Sequence, residues 1–445
     1  MSGPRAERRR LAKNAGRLDA EGSGWSPWRV VVGFGVVSLA ADMVYEGARA
    51  VYGPLLASLG ATALVVGAVS GAGEAAALLL RVVFGPLADR TGRYWTITIV
   101  GYALTAICVP LLAVTPLIGS AGLIVAAVLI LAERIGKAIR SPAKSALLAD
   151  AASQVGMGRG LGVHKALDQI GAFAGPLLVA GVIGASAGII WPGLAVLAIP
   201  GAVAMGLLVL TRRRMPDPDR LSIAVGALPP AVVRTELAGA PMAERVRRLW
   251  AGLPAPFLRL ALGTSMCTAG LVTFGLIGFH LVQAELIATA GIPLLYAAAM
   301  AAEAVVALAI GEAYDRRGPR ILLILPLLVA AVPLLAFGDS LSMVVPGVLL
   351  WGAAVGVQDS TVKALVADLV PRERRATAYG LFAGVQGAGA LIGGITAGAL
   401  YEKSLPALVV VIAAVQLGAL LLLLPVVRRA PVGLHSDRAV PEPPD

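Results

Sequence analysis

The chain has 445 residues, of which 58% are hydrophobic and only 14% charged, against about 25% charged for an ordinary soluble domain. A backbone in lipid must satisfy its own hydrogen bonds, and the alternating pattern of a barrel strand is missing, so composition excludes a soluble globular protein and leaves an all-α polytopic membrane protein. The net charge of +11 does not point to nucleic acid, because the basic residues gather in alternate hydrophilic segments.

The first of these segments is the tail 1–27, with Arg5, Arg8, Arg9, Arg10, Lys13 and Arg17. No A-x-A-like cleavage site follows a short apolar core, which predicts an uncleaved first helix. Apolar runs between turn signals then predict twelve helices, at 28–58, 62–89, 93–115, 120–150, 159–186, 190–211, 256–284, 289–315, 320–337, 342–370, 374–400 and 405–427. Each reaches or approaches the ~20 residues that span a bilayer. A Pro- and Arg-rich linker, 212–255, divides them into an N-terminal unit, 28–211, and a C-terminal unit, 256–427. Within the linker, Glu244–Trp250 (ERVRRLW) fits a short amphipathic helix on the inner membrane surface. The Pro-rich stretch 428–445 is expected to be a disordered cytoplasmic tail.

Further bases cluster at Arg90 and Arg93, at Arg212, Arg213 and Arg214, at Arg316, Arg317 and Arg320, and at Arg372, Arg374 and Arg375. The loops near Gly60, Pro116, Ser186, Ala288, Asp339 and Glu402 carry almost none. The positive-inside rule therefore predicts both termini in the cytoplasm and an even number of spans. Cys108 and Cys267 lie inside apolar segments without metal-ligand spacing and imply no disulfide.

Two repeats run through this pattern. FGPLADRTGRYW (Phe84–Trp95) joins the second helix to the third, and a degenerate copy, IGEAYDRRGPRI (Ile310–Ile321), joins the eighth to the ninth. Their glycines permit tight turns, and their acids and arginines sit where a helix leaves the bilayer and can pair there. Gly85, Asp89, Arg90, Gly92, Arg93, Asp315 and Arg316 are thus candidates for a gating element, with Asp89 and Asp315 expected to cap or pair at neighbouring helix ends. GVHKALDQIGAFAGPLLVAG, from Gly162, also aligns with GLFAGVQGAGALIGGITAG, from Gly380, placing Gly171 on Gly389 and Gly175 on Gly393. Together with Pro176, these residues are expected to let helices pack closely. Both repeats indicate a duplicated membrane unit.

FGPLADRTGR resembles the signature between helices 2 and 3 of the major facilitator superfamily, and IGEAYDRRGPR resembles its weaker copy between helices 8 and 9. GAFAGPLLVAG resembles the Gly-Pro motif of exporters in that superfamily, except that Ala180 stands where a glycine is expected. The fourth helix, ERIGKAIRSPAKSALLADAA, lacks the usual Arg and Gly spacing of the drug-exporter branch. It is more similar to a poorly characterised group of bacterial permeases. The resemblance spans residues 28–427 and implies two pseudo-symmetric six-helix bundles around a central cavity, working by alternating access. It further implies a secondary active transporter, without cofactor or metal, acting as a monomer in a bacterial inner membrane on a small solute and protons.

Ionisable residues inside membrane helices are costly, so each is a functional candidate. Asp42, Glu46 and Arg49 share one face of the first helix, and Glu74 and Arg81 share a face of the second. Glu133, Lys137, Arg140 and Lys144 form a stripe on the fourth, while His164 and Asp168 can meet across one turn of the fifth. Asp42, Glu46, Glu133 and Asp168 are the candidates for proton coupling. Candidates for the cavity wall are Tyr45, Arg49, Glu74, Arg134, Lys137, His164, Glu303, Gln358, Asp359 and Gln386. Arg140 and Lys144 read as gate or interface residues, and His280 as a satisfied polar residue.

The lone asparagine, Asn14, lies in the tail, and aromatics total 5%. This disfavours a sugar site, which needs amides and stacking faces. A mostly apolar cavity with a few charges suits an amphipathic or cationic compound, and the fifth-helix motif leans towards export. An anion held by Arg134 and Lys137, taken up rather than exported, stays open, as does a sensor on the same fold. A nucleotide-driven pump is disfavoured because no G-x-x-x-x-G-K-[ST] loop occurs, and an enzyme because only three histidines are present.

Overall fold

The computed structural model describes residues 25–215, 253–370 and 375–429. The expected tails, the amphipathic helix at Glu244–Trp250, and Arg372 and Arg374 lie outside the described residues. The described chain is helical throughout its membrane passes: α1 (Pro27–Arg49), α2 (Tyr52–Ser58), α3 (Ala63–Leu79), α4 (Arg81–Thr91), α5 (Tyr94–Leu111), α6 (Gly122–Val155), α7 (Met157–Ala185), α8 (Ile190–Ala195) and α9 (Ala198–Arg214) in the first half. The second half contains α10 (Ala255–Gly270), α11 (Phe274–Gln283), α12 (Gly291–Arg317), α13 (Ile324–Ala336), α14 (Leu341–Leu369), α15 (Arg375–Lys403) and α16 (Leu405–Arg429).

Among the described residues, ten segments are long and apolar enough to cross a bilayer. One of them, Gly291–Ala336, turns back through the 3-10 segment Gly318–Leu323 and so makes two passes. A further pass is α6, whose charges exclude it from any hydropathy rule, and twelve passes result. An even number of passes puts the start of α1 and the finish of α16 at one end of the molecule, the terminal end. Large apolar side chains such as Ile124, Val305, Leu308 and Leu421 stand exposed on the outside, where lipid covers them. At 34 residues, α6 is about 51 Å long at 1.5 Å per residue, and it projects beyond the ~30 Å hydrocarbon layer.

Two passes expected to be continuous are broken. In the first, Pro54 lacks the amide that would bond the carbonyl of Ala50, and its ring crowds that carbonyl, so α1 and α2 separate at Ala50–Val51. In the seventh, Leu271 is extended and Thr273 caps α11 by accepting from the Leu276 amide. The carbonyl of Val272, released by this break, accepts from Trp351 Nε1 at 2.7 Å. Both breaks lie along apolar sequence, so hydropathy gives no sign of them.

Small residues set the helix contacts. A Cβ on Gly171 or Gly175 of α7 would strike the backbone of Leu39 or Met43 in α1. In the second half, Gly389 and Gly393 of α15 meet Ser265 and Ala269 of α10 in the same manner. Each half thus packs its fifth pass on its first through the same pair of glycines.

The halves also touch each other, most closely at one end. Gly67 and Gly71 of α3 lie backbone to backbone against Gly394 and Ala390 of α15, and Gly398 lies on Ala63. The Glu402 carboxylate accepts from the Leu64 amide at 2.8 Å, capping α3 across the interface. One apolar core, including Leu55, Ile130 and Ile183 from the first half and Phe274, Tyr296 and Val332 from the second, spans both halves at this far end. Towards the terminal end the core divides into one cluster around Phe34, Trp95 and Leu147 and another around Phe257, Leu325 and Leu365. The molecule is therefore closed at the far end and parted at the terminal end.

Gly171→Ala should cost about 1–3 kcal/mol, because the methyl meets backbone that cannot yield. Gly181, with open space around it, should accept alanine at no cost or with a gain of a few tenths of a kcal/mol. Thermal unfolding of the two purified variants in one detergent checks the contrast.

Candidate functional site

The parted halves enclose a cavity of about 390 Å³, within the size range of small-molecule sites. Its walls are stripes at helical spacing, and the first half supplies Asp42, Tyr45, Glu46 and Arg49 from α1 and Lys137, Arg140, Ser141 and Lys144 from α6. Residues Lys165, Asp168, Gln169 and Ala172 come from α7, and each set falls at i, i+3, i+4 and i+7. The second half supplies Tyr296's neighbours Met300 and Glu303 on α12, then Trp351, Val355, Gln358 and Asp359 on α14, and Gln386 on α15. Eleven of the 26 lining residues are charged, so the cavity is not the mostly apolar one that composition suggested.

The charges fall into two groups. Deeper in, Arg49 Nη2 meets Glu74 Oε1 at 2.7 Å and Arg49 Nη1 lies 3.8 Å from Glu46. Arg134 lies 3.4 Å from the same Glu74 oxygen and 3.5 Å from Glu133. The Tyr45 phenol sits between the two arginines, accepting from Arg134 and, at 3.3 Å, from Arg49. Lys137 Nζ lies 3.6 Å from the centre of the Tyr45 ring, a cation–π contact. Glu46 also accepts from Tyr296 of the second half, a side-chain bond that joins the halves at the cavity floor. Phe274, Tyr296 and Trp351 pack around that bond, with ring centres 4.5 to 6.1 Å apart.

Nearer the terminal end, the Asp42 and Asp168 side chains lie side by side on the cavity wall. Lys165 Nζ bonds Asp168 Oδ2 at 3.0 Å and Gln169 at 2.7 Å. Lys144 Nζ donates to Ser38 Oγ at 3.0 Å. Arg140 reaches Thr105 and stacks on Tyr102. Among the described residues, Lys137, Arg140 and Lys144 have no carboxylate within 4.0 Å.

Several sequence expectations are corrected. Glu133 and Arg134 do not face the cavity: both are buried behind Tyr45, where Thr105 donates to Glu133 at 3.5 Å. His164 is buried too, with Nε2 3.0 Å from Ser38 Oγ; the α1 contact displaces the anticipated meeting with Asp168. Glu74, read as sharing a face with Arg81, pairs with Arg49 and Arg134. Arg140 and Lys144, read as gate residues, line the cavity. His280 bonds Tyr401 at 2.8 Å and the Gly338 carbonyl at 3.2 Å, so both ring nitrogens are satisfied.

In the signature segment, Gly92 adopts φ 64° to end α4, a left-handed turn that glycine permits. Asp89 accepts from Tyr94 at 3.0 Å instead of pairing with an arginine, and Arg316 pairs with Glu312 on its own helix. Arg90, Arg93 and Asp315 are exposed, and with the terminal end parted water solvates them. Sequence reading missed Tyr296 and Trp351, which resemble core aromatics; the i, i+7 spacing of Tyr296 and Glu303 was the available signal. Among the described residues no cluster of His, Cys, Asp or Glu has metal-holding geometry.

A family model described as Major Facilitator Superfamily matches residues 34–302 and 280–444. An uncharacterized protein of Mycobacterium tuberculosis is 50% identical over 407 residues, covering 92% of this chain and 95% of its own. An uncharacterized MFS-type transporter of Methanocaldococcus jannaschii is 27% identical over 144 residues, 32% of this chain and 35% of its own. Among solved structures, a nucleoside transporter superposes with TM-score 0.64 at 14% identity, covering 89% of this chain and 98% of that one. A bacterial homologue of the human lysosomal transporter Spinster, inward-facing and unoccupied, gives 0.62 at 16% identity, covering 91% and 96%. At such identities the likeness carries the fold and no substrate.

Arg134→Gln alone should cost about 3–5 kcal/mol, because it strands the buried Glu133. Adding Glu133→Gln should restore a large part of the loss. A double-mutant cycle by thermal unfolding reads the coupling, and strictly additive losses would contradict the pairing.

Proposed function

The chain belongs to the major facilitator superfamily, and from that premise we propose that it is a proton-coupled secondary transporter moving a small charged organic solute by alternating access. The observation that carries this reading is the contact between the Asp42 and Asp168 carboxyl groups at the cavity wall. Two carboxyl groups so close favour sharing one proton, since like charges at short range resist joint ionisation. The groups facing the pair are cationic: Lys137 and Lys144 from α6, and Lys165 on α7 beside Asp168. A swing of Lys137 or Lys144 towards the pair stabilises the fully ionised form and releases the proton. Rocking of the halves moves α6 and α7 against solute and water, which couples that release to access.

The arrangement at the two ends supports the same cycle. The far end is closed by glycine contacts, by the Glu402 cap and by the Tyr296–Glu46 bond, all of which two rigid halves can break by tilting. The exposed signature segments at the terminal end are free to meet the opposite half when that end closes. The basic loops support a cytoplasmic terminal end in a bacterial inner membrane, which makes this the inward-open state of the proposed cycle. One chain holds the whole cavity, so a monomer suffices, and the Gly-Pro stretch of α7 favours export.

Asparagine cannot exchange a proton, so Asp42→Asn and Asp168→Asn should each reduce solute-induced collapse of a pH gradient in everted vesicles at least tenfold while preserving the thermal unfolding profile. Full responses in both variants would remove the pair from the mechanism.

A further inference from the structure

The two walls of the cavity present groups of opposite charge. On the first half, Lys137, Arg140 and Lys144 run along one face of α6 at i, i+3 and i+7. Their partners are a ring face, a threonine hydroxyl and a serine hydroxyl, none of which neutralises a cation. The acids of that half are engaged elsewhere, Glu46 and Glu74 with Arg49, Glu74 with Arg134, and Asp42 and Asp168 with each other and with Lys165. Among the described residues that line the cavity, the second-half wall presents the carboxylate of Glu303 and no base.

The second-half wall also holds amide groups without partners. Gln358 donates to Thr268 at 3.2 Å, yet its Oε1 is buried and accepts no bond. Gln386 is only 7% exposed and lines the cavity, and its Nε2 has no partner. A buried amide left unsatisfied costs about 1–3 kcal/mol and signals a missing ligand group or water.

We propose that the transported solute is a small zwitterion whose anionic group docks on Lys137, Arg140 and Lys144 while its ammonium docks on Glu303 and the Gln358 carbonyl across the cavity. The proposal deepens the transport reading above and rests on it. Closure of the terminal end expels water from the walls. A solute with one charge then leaves the opposite wall desolvated and unpaired, a costly state. A zwitterion satisfies both walls at once and draws α6 towards α12 and α14, the movement that closure requires. Its anionic end also competes with the Asp42–Asp168 pair for Lys137 and Lys144.

The test uses the purified full-length protein in lipid nanodiscs and no pH gradient. Probes are ω-amino acids from aminobutyrate to aminooctanoate, each with its fatty-acid and alkylamine counterparts of equal length. Binding is read by thermal stabilisation and by quenching of Trp351, with Trp351→Phe as the optical control. At least one ω-amino acid should bind tenfold or more tightly than both counterparts. Glu303→Gln should erase the advantage over the fatty acid, and Lys144→Gln the advantage over the alkylamine, each leaving the unfolding midpoint of the empty protein unchanged within a few degrees. Equal binding of an alkylamine or a fatty acid by the unmodified protein would overturn the proposal, as would no binding at any length. Because no gradient is applied, either failure leaves proton coupling to be judged by the vesicle response of the Asp42 and Asp168 variants.

Discussion

Everything in this molecule answers to the cost of holding charge in a bilayer. Tyr45 is the point where that cost is managed. Its phenol lies between Arg49 and Arg134, its ring faces Lys137, and the arginines in turn hold Glu46, Glu74 and Glu133. This compensated network lets α1, α3 and α6 meet with acids and bases in the interior, and it fixes the floor on which the cavity stands. The uncompensated charges are pushed to the cavity surface, where water reaches them while the terminal end is open.

A second constraint is close backbone approach. Glycines at matching places in the two halves bring the fifth pass onto the first, and other glycines bring α3 onto α15. Contacts of the first kind make each half rigid. Contacts of the second kind, reinforced by the Glu402 cap, join α3 to α15 backbone to backbone beside the apolar core the halves share. A seam of small residues lets α3 and α15 slide and tilt as the halves rock.

Much of this was legible before the structure. The twelve passes, the basic asymmetry between ends and the doubled signature all follow from period, charge and repeat. Asp42, Glu46, Arg49, Glu74, Lys137, Asp168 and Glu303 reached the cavity because charge in an apolar helix has few places to go. Spacing within one helix failed where a neighbouring helix offered a better partner: His164 took Ser38, and Glu133 turned inward with Arg134. The breaks at Ala50–Val51 and Leu271–Thr273 carry no hydropathy signal, and Tyr296 and Trp351 could not be told from core aromatics without knowing which face met the cavity.

The central claim is that the two ends open in alternation, and paired distance measurements test it most directly. Cys108 and Cys267 are buried, which leaves spin labels to be placed by substitution at the exposed positions Thr91 and Arg317 for the terminal end and Ser120 and Lys403 for the far end. On acidification or on addition of a bound solute, the account predicts a shorter Thr91–Arg317 distance and a longer Ser120–Lys403 distance, shifting together in population. Two distances that stay fixed, or that lengthen together, would contradict it.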